Sequence, residues 1–250
     1  MHVLVTGATG FVGRRLVPAL VDADHEVTAL VRDRRAARHF ADAASAAGVE
    51  RVIYLGGLGE ERDHLSSHLQ SRREVDRVLA TGTYALTTLR AAIVVGPRSA
   101  GFEMVGQLAS RLPVMVTPRW VRTPCQPIAV AGLLAYLVGV LDVPDTAGGT
   151  YEVGGPEILT YAEMIRRTGR HLGHEPIILA VPVLTPRLSA YWVGPMTDAP
   201  WSVARPLIEG LKTPVVVTDH WLSRLVAVEP TPFDGAVRRA ITERSGEAAA

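Results

Sequence analysis

The stretch TGATGFVG, residues 6–13, constrains this chain more than any other. It ends the apolar run HVLVTG, typical of a strand covered on both faces, and precedes RRLVPALVDAD, whose apolar residues have helical spacing. Gly7 would permit a sharp turn, Gly10 would let a phosphate approach the backbone, and Gly13 would let helix and strand pack closely. The free N–H groups at the positive end of the helix would then hold a dinucleotide pyrophosphate. A tight turn with only a structural role, or a site that no longer binds, is the alternative.

The rest of the first half alternates strand and helix patterns. Strands are predicted at residues 26–31, 51–56 and 84–96, and helices at residues 34–48 and 71–82, the helices ending at Gly48 and Gly82. This alternation predicts an α/β fold with a doubly wound parallel sheet.

Beyond Pro97 the pattern is less regular, and the second half, from about residue 119, is rich in proline and tryptophan. An apolar helix is predicted at about residues 130–141, a strand at 150–155 and a helix at 161–173. We predict a cofactor-binding half at residues 1–118 and a smaller, substrate-side lobe at residues 119–250, joined in one compact unit because no flexible linker separates them.

Bulk properties exclude several classes of partner. The chain has 250 residues, 48% of them hydrophobic, enough for one large core, and a net charge of +1 that provides no general attraction to nucleic acid or anionic lipid. The longest apolar run, residues 127–141, is too short to span a bilayer, and no export signal is visible. With Cys125 as the single cysteine, we expect a cytoplasmic protein that binds neither nucleic acid nor membrane. The oligomeric state is left open.

Two arginines bear on the choice of cofactor. Arg32 ends the second predicted strand, where NAD-preferring folds carry an acidic residue for the ribose hydroxyls. An arginine there favours the extra phosphate of NADP, and Arg14 could reach the same group. NADP is therefore the predicted cofactor, with NAD as the alternative if both arginines are simply solvated.

Several stretches together resemble a known group of proteins. VTGATGFVG, ALVRD, GVERVIYLGGLG, LRAAIVVGP and YEVGGPEILTY are similar to the atypical and extended branch of the short-chain dehydrogenase/reductase superfamily, in particular its epimerase-like and NmrA-like NAD(P)H-binding proteins. The resemblance extends to about Arg167 and implies a Rossmann-type fold. The predicted cofactor-binding residues are Gly7, Thr9, Gly10, Phe11, Val12, Gly13, Arg14, Arg32, Leu55 and Gly56.

The chain departs from the active site that the resemblance implies. Typical members use a tyrosine as general acid or base, a lysine four residues later, and a serine or threonine after the preceding strand. The only lysine here is Lys212, with Ile208 four positions earlier, while His68 and Arg72 have the tyrosine and lysine spacing. Gly56 and Gly57 stand in place of the serine or threonine. His68 and Arg72 are the candidate catalytic residues, with an exposed helix face as the other interpretation.

Other polar residues give weaker signals. His64 and His68 lie one helical turn apart, but no third ligand stands out, so no metal site is predicted. His171 and His174 are expected to be solvated at a helix end, and Cys125 to be packed and unreactive. For Trp120, Trp192 and Trp201, core packing is favoured over a role in an apolar substrate pocket.

The family pattern also implies more chain than is present after the second strand. Residues 33–50 provide room for one helix, whereas the pattern has two further strands and a helix before the strand at residue 51. A shortened sheet is still feasible, because a right-handed crossover could give the strand order 2-1-3-4 with the second helix on the face opposite the first. A defective fragment is the alternative.

These observations lead to two hypotheses of different class. The first is an NAD(P)-dependent oxidoreductase or epimerase-like enzyme acting on a small, apolar carbonyl substrate. The second is a non-catalytic NAD(P)H-binding sensor or assembly protein, which a glycine loop without the tyrosine and lysine pair would suit equally. A deletion variant that folds without binding cofactor is the third possibility.

Overall fold

A computed structural model describes residues 1–30, 36–59, 67–117, 119–180, 211 and 213–249. The strands are β1 (His2–Thr6), β2 (Glu26–Leu30), β3 (Arg51–Gly57), β4 (Ala85–Ala91), β5 (Val94–Val95), β6 (Val114–Thr117), β7 (Pro124–Cys125), β8 (Ile128–Ala129), β9 (Thr150–Val153), β10 (Leu159–Thr160) and β11 (Ile177–Ala180). The helices are α1 (Gly13–Asp22), α2 (Ala36–Ala46), α3 (Ser67–Leu79), α4 (Ala100–Arg111), α5 (Val130–Asp142), α6 (Tyr161–His171), α7 (Trp221–Leu225) and α8 (Phe233–Ala249). The prediction of a parallel α/β fold is confirmed.

Most predicted elements occur within a few residues of their predicted bounds. The predicted strand at 84–96 is instead two strands, β4 and β5. The expectation of irregular structure beyond Pro97 is wrong for α4 and β6, whose inward-facing side chains, among them Phe102, Leu108 and Met115, belong to a large buried cluster.

Parallel pairing dominates the sheets. β1 pairs with β2, β5 with β8 and β6 with β11, while β4 lies between β3 and β9; all these pairs are parallel, and β7 pairs antiparallel with β10. Because β9 lies beyond residue 119, the predicted C-terminal half contributes a strand beside β4. The division at residues 118 and 119 stays a prediction.

The predicted strand order 2-1-3-4 is wrong at its middle step. β1 is hydrogen-bonded to β2, and β3 to β4, but no described strand pairs with the second edge of β1. Of the five residues in β1 only Val5 is buried, and Leu4 is 50% exposed. α2, which follows β2, buries its apolar side chains against β3 and β4.

The predicted placement of the second helix is confirmed. Phe40 of α2 packs with Val52 of β3 and Leu86 of β4, while Leu16 of α1 packs with the cluster that includes Leu55 of β3. Val52 and Leu55 point to opposite faces of the sheet, because side chains alternate along a strand. α1 and α2 therefore cover opposite faces.

Candidate cofactor site

The loop between β1 and α1 requires glycine at two positions. Gly7 has φ +69°, in the left-handed region that favours glycine, and its carbonyl oxygen accepts a hydrogen bond of 2.9 Å from the Gly10 N–H. A Cβ at position 13 would overlap the Gly7 carbonyl oxygen and the Ala8 Cα, whereas a Cβ at position 10 would lie 3.1 Å from the Gly7 oxygen. The loop therefore turns tightly, with α1 packed against it.

The amino end of α1 can accept an anion. No side chain caps it, and its first turn contains no acidic residue. Unsatisfied N–H groups and the helix dipole make such an end electropositive. The glycine-lined cradle and the uncapped helix fit a dinucleotide pyrophosphate.

Of the two arginines predicted to select NADP, the structure describes Arg14 but not Arg32. The Nη2 atom of Arg14 is buried and has no hydrogen-bond partner. Because buried guanidinium nitrogens are normally paired, this atom fits a role in holding an anionic ligand group. Arg32 lies outside the described residues, so its predicted role stays untested by the structure.

Two of the predicted cofactor residues, Leu55 and Gly56, lie at the end of β3. Leu55 and Val12 both pack against one hydrophobic cluster, which extends from α1 to the sheet. Gly56 is buried and paired with Arg90 of β4, within the strand rather than in a loop. Thr9 is exposed in the glycine loop.

The candidate catalytic residues His68 and Arg72 both lie in α3. The side chain of His68 is outside the described residues. The Nη1 of Arg72 donates to the Leu55 carbonyl at 3.5 Å, and the Arg72 carbonyl accepts a hydrogen bond of 3.3 Å from the Tyr54 hydroxyl. These contacts join α3 to β3, a structural role for Arg72 that the sequence did not indicate.

One helical turn further, Asp76 continues this polar layer between α3 and the sheet. Its carboxylate accepts a 2.7 Å hydrogen bond from the Thr88 hydroxyl and a 3.3 Å bond from Arg90 Nη2. Sequence reasoning missed this group. The sequence does contain a pattern for it: Arg72 and Asp76, four residues apart, lie on one face of a helix, and Thr88 and Arg90, two residues apart, lie on one face of a strand.

The N-terminal segment has a recognisable sequence pattern. Residues 3–99 match the NAD dependent epimerase/dehydratase family. The matched segment makes up about two fifths of the chain. It takes in the glycine loop, the end of β3 and the whole of α3. No protein of curated function matches the chain in sequence.

Solved structures share the fold of the epimerase/dehydratase segment and of the chain beyond it. NADPH-dependent quinone oxidoreductase QOR2 from Escherichia coli has a TM-score of 0.76 and 16% identity, over 96% of this chain and 100% of that one. Triphenylmethane reductase from Citrobacter sp., complexed with NADP(H), has a TM-score of 0.73 and 16% identity over 96% and 100% of the two chains. A nucleoside-diphosphate-sugar epimerase from Staphylococcus aureus has a TM-score of 0.73 and 14% identity over 95% and 100%. The Rossmann-type fold of NAD(P)-binding proteins is thereby confirmed.

Three of the described tyrosines are buried and poorly suited to acid-base chemistry. Burial raises the pKa of Tyr84, Tyr136 and Tyr161, which makes each phenol harder to deprotonate. Burial likewise raises the pKa of Cys125 to about 11. Trp120 is buried and packs edge to face against Tyr161 at 6.1 Å, which confirms core packing. Trp192 and Trp201 lie outside the described residues.

The histidines at the end of α6 are not simply solvated, so that expectation is wrong. His171 Nε2 lies 3.1 Å from a carboxylate oxygen of Asp234, and His174 is hydrogen-bonded to the Ala109 carbonyl. Both are partly buried because α6 packs against α4 and α8. His64 lies outside the described residues. Among those that are described, no three His, Cys, Asp or Glu side chains form a group that could hold a metal.

A cavity of about 370 Å³ lies between α4, α6 and α8. Its lining is largely apolar, with Phe102, Leu172 and Ile241, and it includes Pro97 but none of the predicted cofactor residues.

No helix in the described ranges combines the length and apolar character needed to cross a membrane.

Proposed function

We propose that this protein is an NAD(P)-dependent oxidoreductase or epimerase-like enzyme of the short-chain dehydrogenase/reductase type, acting on a small, apolar carbonyl compound. The observation that carries the proposal is the glycine loop, where Gly7 adopts positive φ and Gly13 leaves no space for a Cβ, at the uncapped end of α1. The epimerase/dehydratase match of residues 3–99 supports it.

Each part of the site would have a separate task. The backbone of residues 7–13 would hold the pyrophosphate, and the unpartnered Nη2 of Arg14 would bind the 2′-phosphate together with Arg32, which favours NADP over NAD. When bound, the nicotinamide supplies hydride transfer. Leu55 and Gly56 would border the cofactor at the end of β3, and His68 would exchange a proton with the substrate.

A non-catalytic NAD(P)H-binding sensor is the second candidate. Two observations favour it: Arg72 is held by β3 through the Leu55 carbonyl, and Gly56 and Gly57 provide no hydroxyl beside the site. Such a protein would need the glycine loop but no proton donor.

Titration with NADPH and NADH, followed by nicotinamide fluorescence and calorimetry, tests cofactor binding. We expect NADPH to bind more tightly than NADH. Gly10→Ala should abolish binding of both cofactors, because its Cβ would block the phosphate. The melting temperature should change little, because the nearest atom to that Cβ is the Gly7 carbonyl oxygen at 3.1 Å. Gly106→Ala is the matched control, since a Cβ there meets nothing within 4 Å. Absence of binding of either cofactor at millimolar concentration would refute both candidate functions and leave the variant that folds without cofactor.

Two further variants resolve the finer parts of the proposal. Arg14→Gln should remove the preference for NADPH and leave NADH binding unchanged; an unchanged preference would exclude Arg14 as the determinant. His68→Ala, assayed for turnover on a panel of carbonyl compounds, separates enzyme from sensor. Turnover that is lost supports His68 as proton donor, turnover that is unchanged removes it, and no turnover by the native protein favours the sensor.

A further inference from the structure

Arg15 contacts the glycine loop from behind, although it is outside the predicted cofactor set. Its Nη1 donates to the Phe11 carbonyl at 3.2 Å, and its guanidinium lies over the Phe11 ring at 5.0 Å. Its Nη2 donates to the Pro97 carbonyl at 3.4 Å. With a side chain only 16% exposed, Arg15 fixes both the backbone and the ring of Phe11.

The same guanidinium reaches the C-terminal helix. Arg15 Nη2 lies 3.4 Å from the carboxylate of Glu243 in α8. α8 is itself anchored, because Phe233 and Val237 are buried in the core and Asp234 pairs with Arg167 of α6 at 2.7 Å. The glycine loop is therefore tied to a fixed helix from the far end of the chain.

The Phe11 ring also lies close to Gly96. A Cβ at Gly96 would lie 3.0 Å from the Phe11 ring and 2.9 Å from Val130 Cγ1, so the ring occupies a close-fitting space beside α5. Held between this space and Arg15, Phe11 can shift little. The N–H groups of the adjoining loop residues are thus fixed in direction before any ligand arrives.

We propose that Arg15 and Glu243 are positioning residues for the cofactor loop, so that the C-terminal helix forms part of the cofactor site. This inference rests on the proposed function. Loosening the Arg15–Glu243 contact leaves every phosphate-binding group in place but makes their ordering part of the cost of binding. The pyrophosphate is common to both cofactors, so the affinities for NADPH and NADH fall by the same factor.

The experiment compares two ion pairs of equal length on adjacent residues of α8. Glu243→Gln removes the partner of Arg15, whereas Arg244→Gln removes a 3.4 Å pair with Glu103 of α4 that does not touch the loop. For Glu243→Gln we expect the Kd of both cofactors to rise about 3- to 5-fold, the scale of one exposed ion pair. Arg15→Met should raise it about 10-fold or more, because the bonds to two carbonyls are lost as well. Arg244→Gln should leave both Kd values unchanged.

Rescue and amide exchange complete the test. Glu243→Asp should restore part of the affinity, and hydrogen exchange of residues 7–16 without cofactor should be faster in Glu243→Gln than in Arg244→Gln. Cofactor affinity and loop exchange that are the same in Glu243→Gln and the native protein overturn the inference, as does equal weakening by Arg244→Gln. A native protein that binds no cofactor refutes the proposed function instead, and the exchange comparison then decides by itself whether Glu243 orders the loop.

Discussion

Replacing Arg167 by methionine should destabilise the protein more than replacing any other arginine of the described ion pairs. Arg167 in α6 donates to Glu157 at 2.7 and 3.4 Å and to Asp234 in α8 at 3.1 and 2.7 Å. Its guanidinium also lies 5.3 Å from the Phe233 ring. Methionine fills much of the space occupied by the arginine stem but leaves two carboxylates facing each other.

The magnitude follows from the exposure of each partner. Arg167 is 19% exposed and Glu157 31%, so this bidentate contact counts as a partly buried, charge-assisted pair of about 1.5–2 kcal/mol. Asp234 is 44% exposed and keeps His171 as a partner, so its pair counts as a surface pair of about 0.5–1 kcal/mol. We expect a loss of about 2–3 kcal/mol, which lowers the melting temperature by about 4–12 °C for a chain of this size.

Thermal and urea unfolding measure this loss, with Arg170→Met as the control. Arg170 also forms a bidentate pair, at 2.7 and 2.9 Å with Glu175, but both side chains are exposed to solvent. We expect no measurable change for the control, because solvent screens the pair. Equal losses in the two variants would refute the argument that partial burial and the connection between α6 and α8 determine the effect.

The pH dependence of stability provides a second check on the same group. Hydrogen bonds from Arg167 hold the pKa of Glu157 below its usual 4.5 and that of Asp234 below its usual 3.8. A lowered native pKa means that the stabilisation is fully present above the ordinary carboxyl values and is lost as the pH falls through the native values. The native protein should therefore lose this stability below about pH 4.5, and Arg167→Met should show a flatter acid limb in urea titrations.

Two further predictions concern burial. Cys125, with its pKa raised to about 11, should be about one part in a thousand thiolate at pH 8 and should not react with a disulfide reagent until the protein unfolds; rapid reaction of the folded protein would contradict its buried position. Leu4→Thr should change the free energy of unfolding by less than about 0.5 kcal/mol, because Leu4 is half exposed, whereas Leu20→Ala in the buried side of α1 should cost about 2–5 kcal/mol. A cost above about 2 kcal/mol for Leu4→Thr would show that a further element covers β1.

Local chemistry explains which parts of the fold were predictable. Gly13 is required because a Cβ has no space, and that requirement is already visible in the spacing TGATGFVG after an apolar strand. The second helix was equally readable, and the face it covers followed from the handedness of crossovers. By contrast, α4 carries Gly101 and Gly106, which are poor helix formers and weaken the helical pattern of the sequence.

The interactions that fix the site were not predictable, because they join distant positions. Arg15 and Glu243 are 228 residues apart, and each alone has the appearance of an ordinary charged residue on a helix surface. Arg51 donates a hydrogen bond to Thr146, which lies 95 residues away in the sequence, and the partly buried guanidinium also contacts Thr87. The missing pairing between β1 and β3 is likewise a matter of which strand reaches which edge. The hydrophobic periodicity of one segment predicts which face of that element is buried, but it does not predict which other element covers that face.

One edge of β1 is paired with no strand of the described ranges, and this has a consequence for how ligand binding and folding are coupled. The loop that would hold the cofactor extends from a strand with one buried residue, whereas β4, between two neighbours, buries Thr87, Thr88, Leu89 and Ala91. Subglobal opening should therefore begin in β1 and β2 and disassemble the loop while the larger sheet persists. A cofactor bound there would oppose this opening by mass action. The measured affinity would therefore include the free-energy difference between the open and closed forms of the first thirty residues.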